Sequence, residues 1–128
     1  TLFGLYQTAR LYWSPFTTDP AAISVSEGPD LTGDVTSLQD FVVTGDHVAM
    51  GSYNLDTGVQ GILVARMSTE ERWLIRARPG TFLLPVAISA TEILATETDE
   101  TSSPASIDRY LRLDLAELDS LAQGWSPP

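Results

Sequence analysis

The chain has 128 residues, of which 43% are hydrophobic and 19% charged, so one folded domain is expected and a disordered chain is excluded. It contains no cysteine, which excludes disulfide bonds, thiolate metal sites and cysteine nucleophiles. Its 17 acidic residues oppose 7 basic ones, all arginine, and the net charge of −10 disfavours nucleic acid and anionic membranes as partners.

The N-terminal part gives an ambiguous pattern. Residues 2–13 are rich in aromatic side chains and fit either a strand or a helix, and residues 1–20 could instead form a contact arm that packs on a partner. Residues 14–40 are rich in proline, glycine, serine, threonine and aspartate, which favour turns and loops. We expect an extended loop there, with one short strand at residues 23–26.

The middle of the chain gives the clearest pattern. Apolar runs separated by short turn sequences predict strands at residues 41–44, 47–53, 59–67, 72–78 and 81–88. Gly45-Asp46 and Pro79-Gly80 predict tight turns, because glycine permits a positive φ and proline fixes its own φ. Short connections of this kind favour antiparallel hairpins.

A hairpin closed by Pro79-Gly80 places Arg78 opposite Thr81. Trp73 and Ile75 then share one apolar face with residues 62, 64, 84 and 86, as a half-buried sheet requires. The other face mixes leucines with arginines 72, 76 and 78. We expect this mixed face to be partly covered, either by the N-terminal segment or by another chain.

Toward the C-terminus, residues 96–106 predict a flexible acidic loop. Alternating leucines predict a strand at residues 109–115, and leucines at helical spacing predict a helix at residues 114–122, so the two assignments compete around Asp114. The sequence therefore predicts a single, mainly β domain over residues 1–128. We expect an antiparallel meander forming a small sandwich or barrel, with a short C-terminal helix.

No catalytic or metal-binding pattern is evident, so we expect a protein that is not an enzyme and that needs no cofactor. His47 is the sole histidine, and its place in an apolar strand favours a structural role. Arginines 66, 72, 76 and 78 lie close together in the sequence. They could bind an anion or an acidic partner, but ion pairs within this acidic chain are the favoured interpretation.

Aromatic residues near the chain ends and arginines on the mixed face are the candidate contacts with a partner. This set comprises Tyr6, Tyr12, Trp13, Arg72, Arg76, Arg78 and Trp125.

Three segments resemble the small β-rich decoration, or cement, proteins of tailed-phage capsids: residues 45–51 (GDHVAMG), 61–65 (GILVA) and 80–85 (GTFLLP). The resemblance spans residues 42–88 and consists of strands led by glycines, with no signature chemistry. It implies a non-enzymatic protein that oligomerises on a capsid lattice and is located in the virion. The acidic segment and the leucine-rich C-terminal part depart from this pattern.

The leading hypothesis is a structural or interaction protein with a protein partner, such as a capsid protein, and with a tendency to form homo-oligomers. The alternative is an acidic inhibitor or immunity-type protein that caps a basic site, motivated by the net charge of −10. An enzyme using carboxylates, with or without a divalent ion, has the least support. Unless the chain is a virion protein, a cytoplasmic location is expected.

Overall fold

The computed structural model describes residues 10–13, 18–30, 37–55, 57–101 and 106–124. Within these ranges the backbone forms nine strands and one α-helix, with short 3-10 turns at Pro20–Ala22 and Leu115–Glu117. The elements are β1 (Arg10–Trp13), β2 (Ser26–Asp30), β3 (Ser37–Thr44), β4 (His47–Tyr53), β5 (Gln60–Arg66), β6 (Arg72–Arg76), β7 (Thr81–Ile88), β8 (Glu92–Asp99), β9 (Ser106–Asp114) and α1 (Leu118–Gly124).

The strands form three antiparallel sheets: β1-β2, β3-β4-β5-β6 and β7-β8-β9. Strand β7 packs against β3, β4 and β5, while α1 packs against β6 and β9. The two larger sheets thus face each other as a small sandwich and do not close into a barrel. The prediction of a mainly β, antiparallel fold with a short C-terminal helix is confirmed.

The main core lies between these two sheets. The four-stranded sheet contributes Ala49, Ile62, Val64 and Ile75, and α1 contributes Leu118. The three-stranded sheet supplies the facing residues Leu83, Ile93, Ala95 and Leu113. Each fully buried aliphatic side chain stabilises the fold by about 1.5 to 3 kcal/mol relative to an exposed one, so this layer is the main source of cohesion between the sheets.

A second core layer covers the opposite face of the four-stranded sheet. It consists of Val48, Met50, Leu63 and Ala65, with Leu74 packed against them. Met50 and Ala65 have no exposed surface within a single chain, so no second chain is needed to bury them. Burial on both faces explains why β4 and β5 are almost continuously apolar instead of alternating.

The register predicted within the four-stranded sheet is right in its choice of face, since Ile62 and Val64 pair with Ile75 and Trp73. The predicted hairpin between β6 and β7 is wrong, because β6 pairs only with β5 and β7 pairs with β8. Gly80 adopts a φ of +78°, and this turn carries the chain from one sheet into the other. Because β7 does not pair with β6, the side chain of Leu83 lies in the core, and Val86, predicted on the apolar face, is 50% exposed.

The predicted acidic loop at residues 96–106 is wrong at residues 96–99 and 106, whereas residues 100 and 101 do form a turn. Residues 96–99 complete β8, and β9 begins at Ser106. The segment is extended because β8 is the central strand of its sheet, with β7 on one side and β9 on the other.

The competition around Asp114 is resolved in favour of the strand. Strand β9 ends at Asp114, whose Oδ1 accepts a hydrogen bond of 2.8 Å from the backbone N–H of Ala116. This cap begins the 3-10 turn that leads into α1. The predicted Gly45-Asp46 turn is confirmed by the pairing of Thr44 with His47. The short strand expected at residues 23–26 lies later in the chain, as β2.

Gln60 ties the two sheets together at the edge of β7. Its side-chain Nε2 donates to the carbonyl oxygen of Leu83 (2.6 Å), and its Oε1 accepts from the Leu83 backbone N–H (2.8 Å). The amide thereby acts as a backbone partner for an edge strand.

Next to Gln60, a Cβ added to Gly61 would lie 2.2 Å from the carbonyl oxygen of Ile75, so only glycine permits this close approach of β6.

We expect Gln60→Met to lower the free energy of unfolding by about 2 to 4 kcal/mol, because it leaves the buried N–H and C=O of Leu83 without a partner. Urea denaturation monitored by tryptophan fluorescence measures the change. Gln39→Met, an exposed residue of β3, serves as the control and should change little. Equal stabilities of Gln60→Met and the native protein would show that the amide does not join the sheets.

Candidate functional site

A buried ion cluster occupies the inner face of the three-stranded sheet. The Glu97 side chain has 0% exposure, whereas those of Arg78 and Arg109 are 51% and 46% exposed. Arg78 holds the carboxylate with two hydrogen bonds, of which the Nε–Oε2 bond is 3.1 Å, and Arg109 Nε donates to Oε1 at 2.9 Å. Positive groups from the β6–β7 turn and from β9 therefore meet on one carboxylate of β8.

This arrangement keeps Glu97 ionised. Burial opposes ionisation and would raise the pKa of Glu97, but the hydrogen bonds and charges of Arg78 and Arg109 outweigh burial and lower it below the usual range. The same contact raises the pKa of Arg78. We call this cluster of Glu97, Arg78 and Arg109 the clamp, because it joins the β6–β7 turn, β8 and β9 through a carboxylate that is closed to solvent.

The arginines predicted as partner contacts do not form one cluster. Arg78 turns toward the three-stranded sheet and binds Glu97. Arg72 and Arg76 pair with Ala65 and Gly61 in the four-stranded sheet, on the face opposite the main core. Arg72 is exposed, while the Nε atom of Arg76 is buried and has no hydrogen-bond partner among the described residues.

The aromatic candidates fall mostly outside the described part of the chain. Tyr6 and Trp125 lie outside the described residues. The backbones of Tyr12 and Trp13 belong to β1, which pairs with β2, but their side chains also lie outside the description. The contacts predicted for these four residues, and for an arm at residues 1–20, therefore remain predictions.

One end of the four-stranded sheet carries a second polar cluster. Asp46 accepts a 2.8 Å hydrogen bond from the backbone N–H of Ser68, and this bond joins two adjacent turns. Arg66 pairs with Glu71 (3.4 Å) and stacks over the Trp73 ring. These contacts support the interpretation that the arginines form ion pairs with acidic residues of the same chain.

His47 lies at the same end, and its Nε2 atom is buried without a partner among the described residues. Burial lowers the pKa of His47, and the nearby charge of Arg66 lowers it further, while Asp46 and Glu71 oppose the shift.

The outer face of the three-stranded sheet carries a group of exposed apolar side chains. Val86, Leu94, Ile107 and Tyr110 are respectively 50%, 37%, 52% and 63% exposed. The sequence analysis did not select this set. The sequence did contain one indication of it. Leu111 and Leu113 face inward in β9, and because side chains alternate along a strand, Tyr110 must then lie on the outer face.

The described residues contain no group of three or more histidine, aspartate or glutamate side chains placed to hold a metal ion. Among the described residues, no helix has the length and apolar character needed to cross a membrane.

We expect Glu97→Gln to cost about 2 kcal/mol of stability, the scale of hydrogen bonds to a charged group, since the arginines it releases can be hydrated. The double variant Arg78→Met with Arg109→Met should cost more, because it leaves a buried carboxylate without positive charge. Urea denaturation at pH 7 measures both. Arg112→Met, which breaks an exposed pair with Glu92, is the control and should change little. The reverse order of the first two losses would contradict the clamp.

The lowered pKa of His47 predicts an acid-dependent loss of stability. His47 takes up its proton at a higher pH in the unfolded chain than in the folded one. The free energy of unfolding should therefore be constant at pH values above the ordinary histidine pKa, and it should fall as the pH drops through about 6.5. Thermal unfolding between about pH 7 and pH 5.5 tests this. His47→Phe should flatten the dependence, whereas Glu97→Gln should retain it, because that carboxylate titrates at lower pH. An unchanged slope in His47→Phe would refute the assignment.

Compared with protein-family models, with curated proteins and with solved structures, the chain matches none of them.

Proposed function

We propose that this protein is a non-enzymatic interaction protein that binds another protein through the outer face of its three-stranded sheet. The observation that carries the proposal is the exposure of Leu94, Ile107 and Tyr110 on adjacent strands of one sheet face. Exposed apolar side chains grouped on one face are a common feature of protein-binding surfaces. Tyrosine is also among the residues enriched at the energetic centre of such interfaces.

The use of the charged groups supports this proposal. Within the part of the chain that the structure describes, ion pairs with acids of the same chain hold Arg66, Arg78, Arg109 and Arg112. Cations held in this way stabilise the fold and are poorly suited to proton transfer or to binding a substrate anion. The exposed apolar face has no comparable partner within the described chain.

The specific form proposed is a capsid decoration protein that assembles on a lattice in the virion. Its support is the resemblance of residues 42–88 to such proteins. Those residues comprise β4 to β7 and the end of β3, and β7 is the strand they contribute to the three-stranded sheet. Lattice neighbours of the same chain would supply the homo-oligomeric contacts.

An acidic inhibitor or immunity-type protein is the second candidate. It is favoured by the net charge of −10, which would attract and orient a basic site on an enzyme. Both candidates act by binding a protein, and the identity of the partner separates them.

Photo-crosslinking tests the proposal. It is carried out in cells that naturally carry the gene for this protein and therefore also contain its natural partners. Tyr110 is replaced by p-benzoylphenylalanine, and the matched control carries the same group at Val43, an exposed residue of β3. We expect one dominant adduct from position 110 and none of that mass from position 43. A capsid protein in the adduct supports the decoration form, and an enzyme supports the inhibitor form. Equal crosslinking from both positions, or none from 110, would overturn the proposal.

A further inference from the structure

The acidic groups around the outer face of the three-stranded sheet define the chemistry of its partner. We infer that this face binds a protein surface in which apolar side chains are flanked by lysine or arginine. The inference rests on the proposed function and adds the chemical class of the partner.

The centre of the face is apolar and continuous across the sheet. Tyr110 lies opposite Thr96, and Ile107 lies opposite Thr98, so both project from β9 beside the middle strand. Leu94 lies opposite Ala87 of β7. Only 8% of Thr96 is exposed, which places it at the floor between larger neighbours. A partner that covers these side chains therefore meets apolar groups above an uncharged threonine floor.

Both ends of this apolar centre are acidic. At one end, Glu92 and Asp114 lie opposite each other in β8 and β9. At the other end, Glu100 lies in the turn that follows β8, and Asp108 lies in the irregularity of β9.

Among the described residues of β7, β8 and β9, Arg112 is the one arginine on the outer face with these four acids. Arg112 is held by Glu92 through bonds of 3.1 and 2.9 Å, so it neutralises one acid of that end. Arg109, on the same strand, belongs to the inner face and binds Glu97. Arg78 also lies close enough to Asp108 for their charges to interact. Glu97, Glu100 and Asp108 at that end still outnumber the two arginines of the clamp. At the other end, two acids outnumber Arg112, so both ends keep a net negative charge.

A second copy of the chain is a poor occupant for this face. Two copies related by a two-fold axis would bring the same acidic rim against itself, and each chain carries a net charge of −10. Strand β9, the last strand of this sheet among the described residues, is also irregular between Ile107 and Arg109 and carries charged residues, two features that hinder edge-to-edge pairing. Opposite charges on a partner would instead steer it to the face and fix its orientation.

Binding of three synthetic peptides tests the inference. In the first, lysine and leucine alternate; in the second, glutamate replaces lysine; in the third, serine replaces leucine. Each is titrated into the full chain labelled with ¹⁵N, and amide shifts are followed by NMR. The lysine–leucine peptide should perturb β8 and β9 around Leu94 and Tyr110, with an affinity at least about tenfold above that of the other two.

Variants separate the apolar and the charged contributions. The pair Leu94→Thr and Tyr110→Thr should weaken the lysine–leucine peptide by about tenfold or more, and Val43→Thr should not. Glu100→Gln with Asp108→Asn should weaken it at low salt and flatten its salt dependence, because screening acts on those charges. Glu70→Gln, on the distant β5–β6 turn, is the charge control. Each variant's folding is checked from its own amide spectrum.

The outcomes distinguish this inference from the proposed function. Shifts elsewhere on the protein, equal binding of the glutamate–leucine peptide, or no binding of the lysine–leucine peptide would overturn the basic partner. A specific crosslink from position 110 would still support the proposed function in each of those cases. If that crosslink is absent while the lysine–leucine peptide binds as expected, the proposed function fails and the face retains its preference for basic apolar surfaces.

Discussion

Glu97 is a carboxylate without exposed surface, and it can remain in this position only because two guanidinium groups meet it. Removing an ion from water is costly, so the positions of both arginines are constrained together with that of the carboxylate. Arg78 fixes the turn between the two larger sheets, and Arg109 fixes β9 beside β8. The partner of Glu97 on β7 is Leu83, whose backbone is held by Gln60 of the other sheet. The ion cluster and the amide tie therefore form one continuous connection across the sandwich.

This connection also shapes the surface. Because Arg78 and Arg109 share the buried charge of Glu97, their positive charges only partly offset the acids at that end of the three-stranded sheet. The four-stranded sheet has buried cores on both faces, so its central strands offer little apolar surface to a partner. The main core covers the inner face of the three-stranded sheet, while Leu94, Ile107 and Tyr110 on its outer face stay exposed. Apolar exposure and negative charge thus occur together on its outer face, and the proposed binding function follows from that combination.

Much of the fold was predictable from local patterns. Strands in the middle of the chain, the Gly45-Asp46 turn and the short helix after Asp114 follow from apolar runs, turn chemistry and leucine spacing. The shared face of Trp73 and Ile75 was also predictable, because alternation within a strand fixes the side of the sheet. The general preference of the arginines for partners within the chain followed from the excess of acids.

The candidate site was less predictable. An acidic run reads as a solvated loop, yet Glu97 lies in a central strand because cations distant in sequence neutralise it. The sequence also could not predict that β7 joins the second sheet, since Pro79-Gly80 suits both a hairpin turn and a connection between two sheets. The outer face could not be found for the same reason, because it exists only once β7, β8 and β9 are neighbours.

The sequence by itself therefore determined the class of fold, the excess negative charge and the alternation that directs each side chain within its strand, since these depend on neighbouring residues. The tertiary structure alone decided which strands pair, which carboxylate is buried and which sheet face stays exposed. These choices depend on contacts between residues far apart in the chain, such as those of Glu97 with Arg78 and of Gln60 with Leu83, whose partners no local pattern specifies.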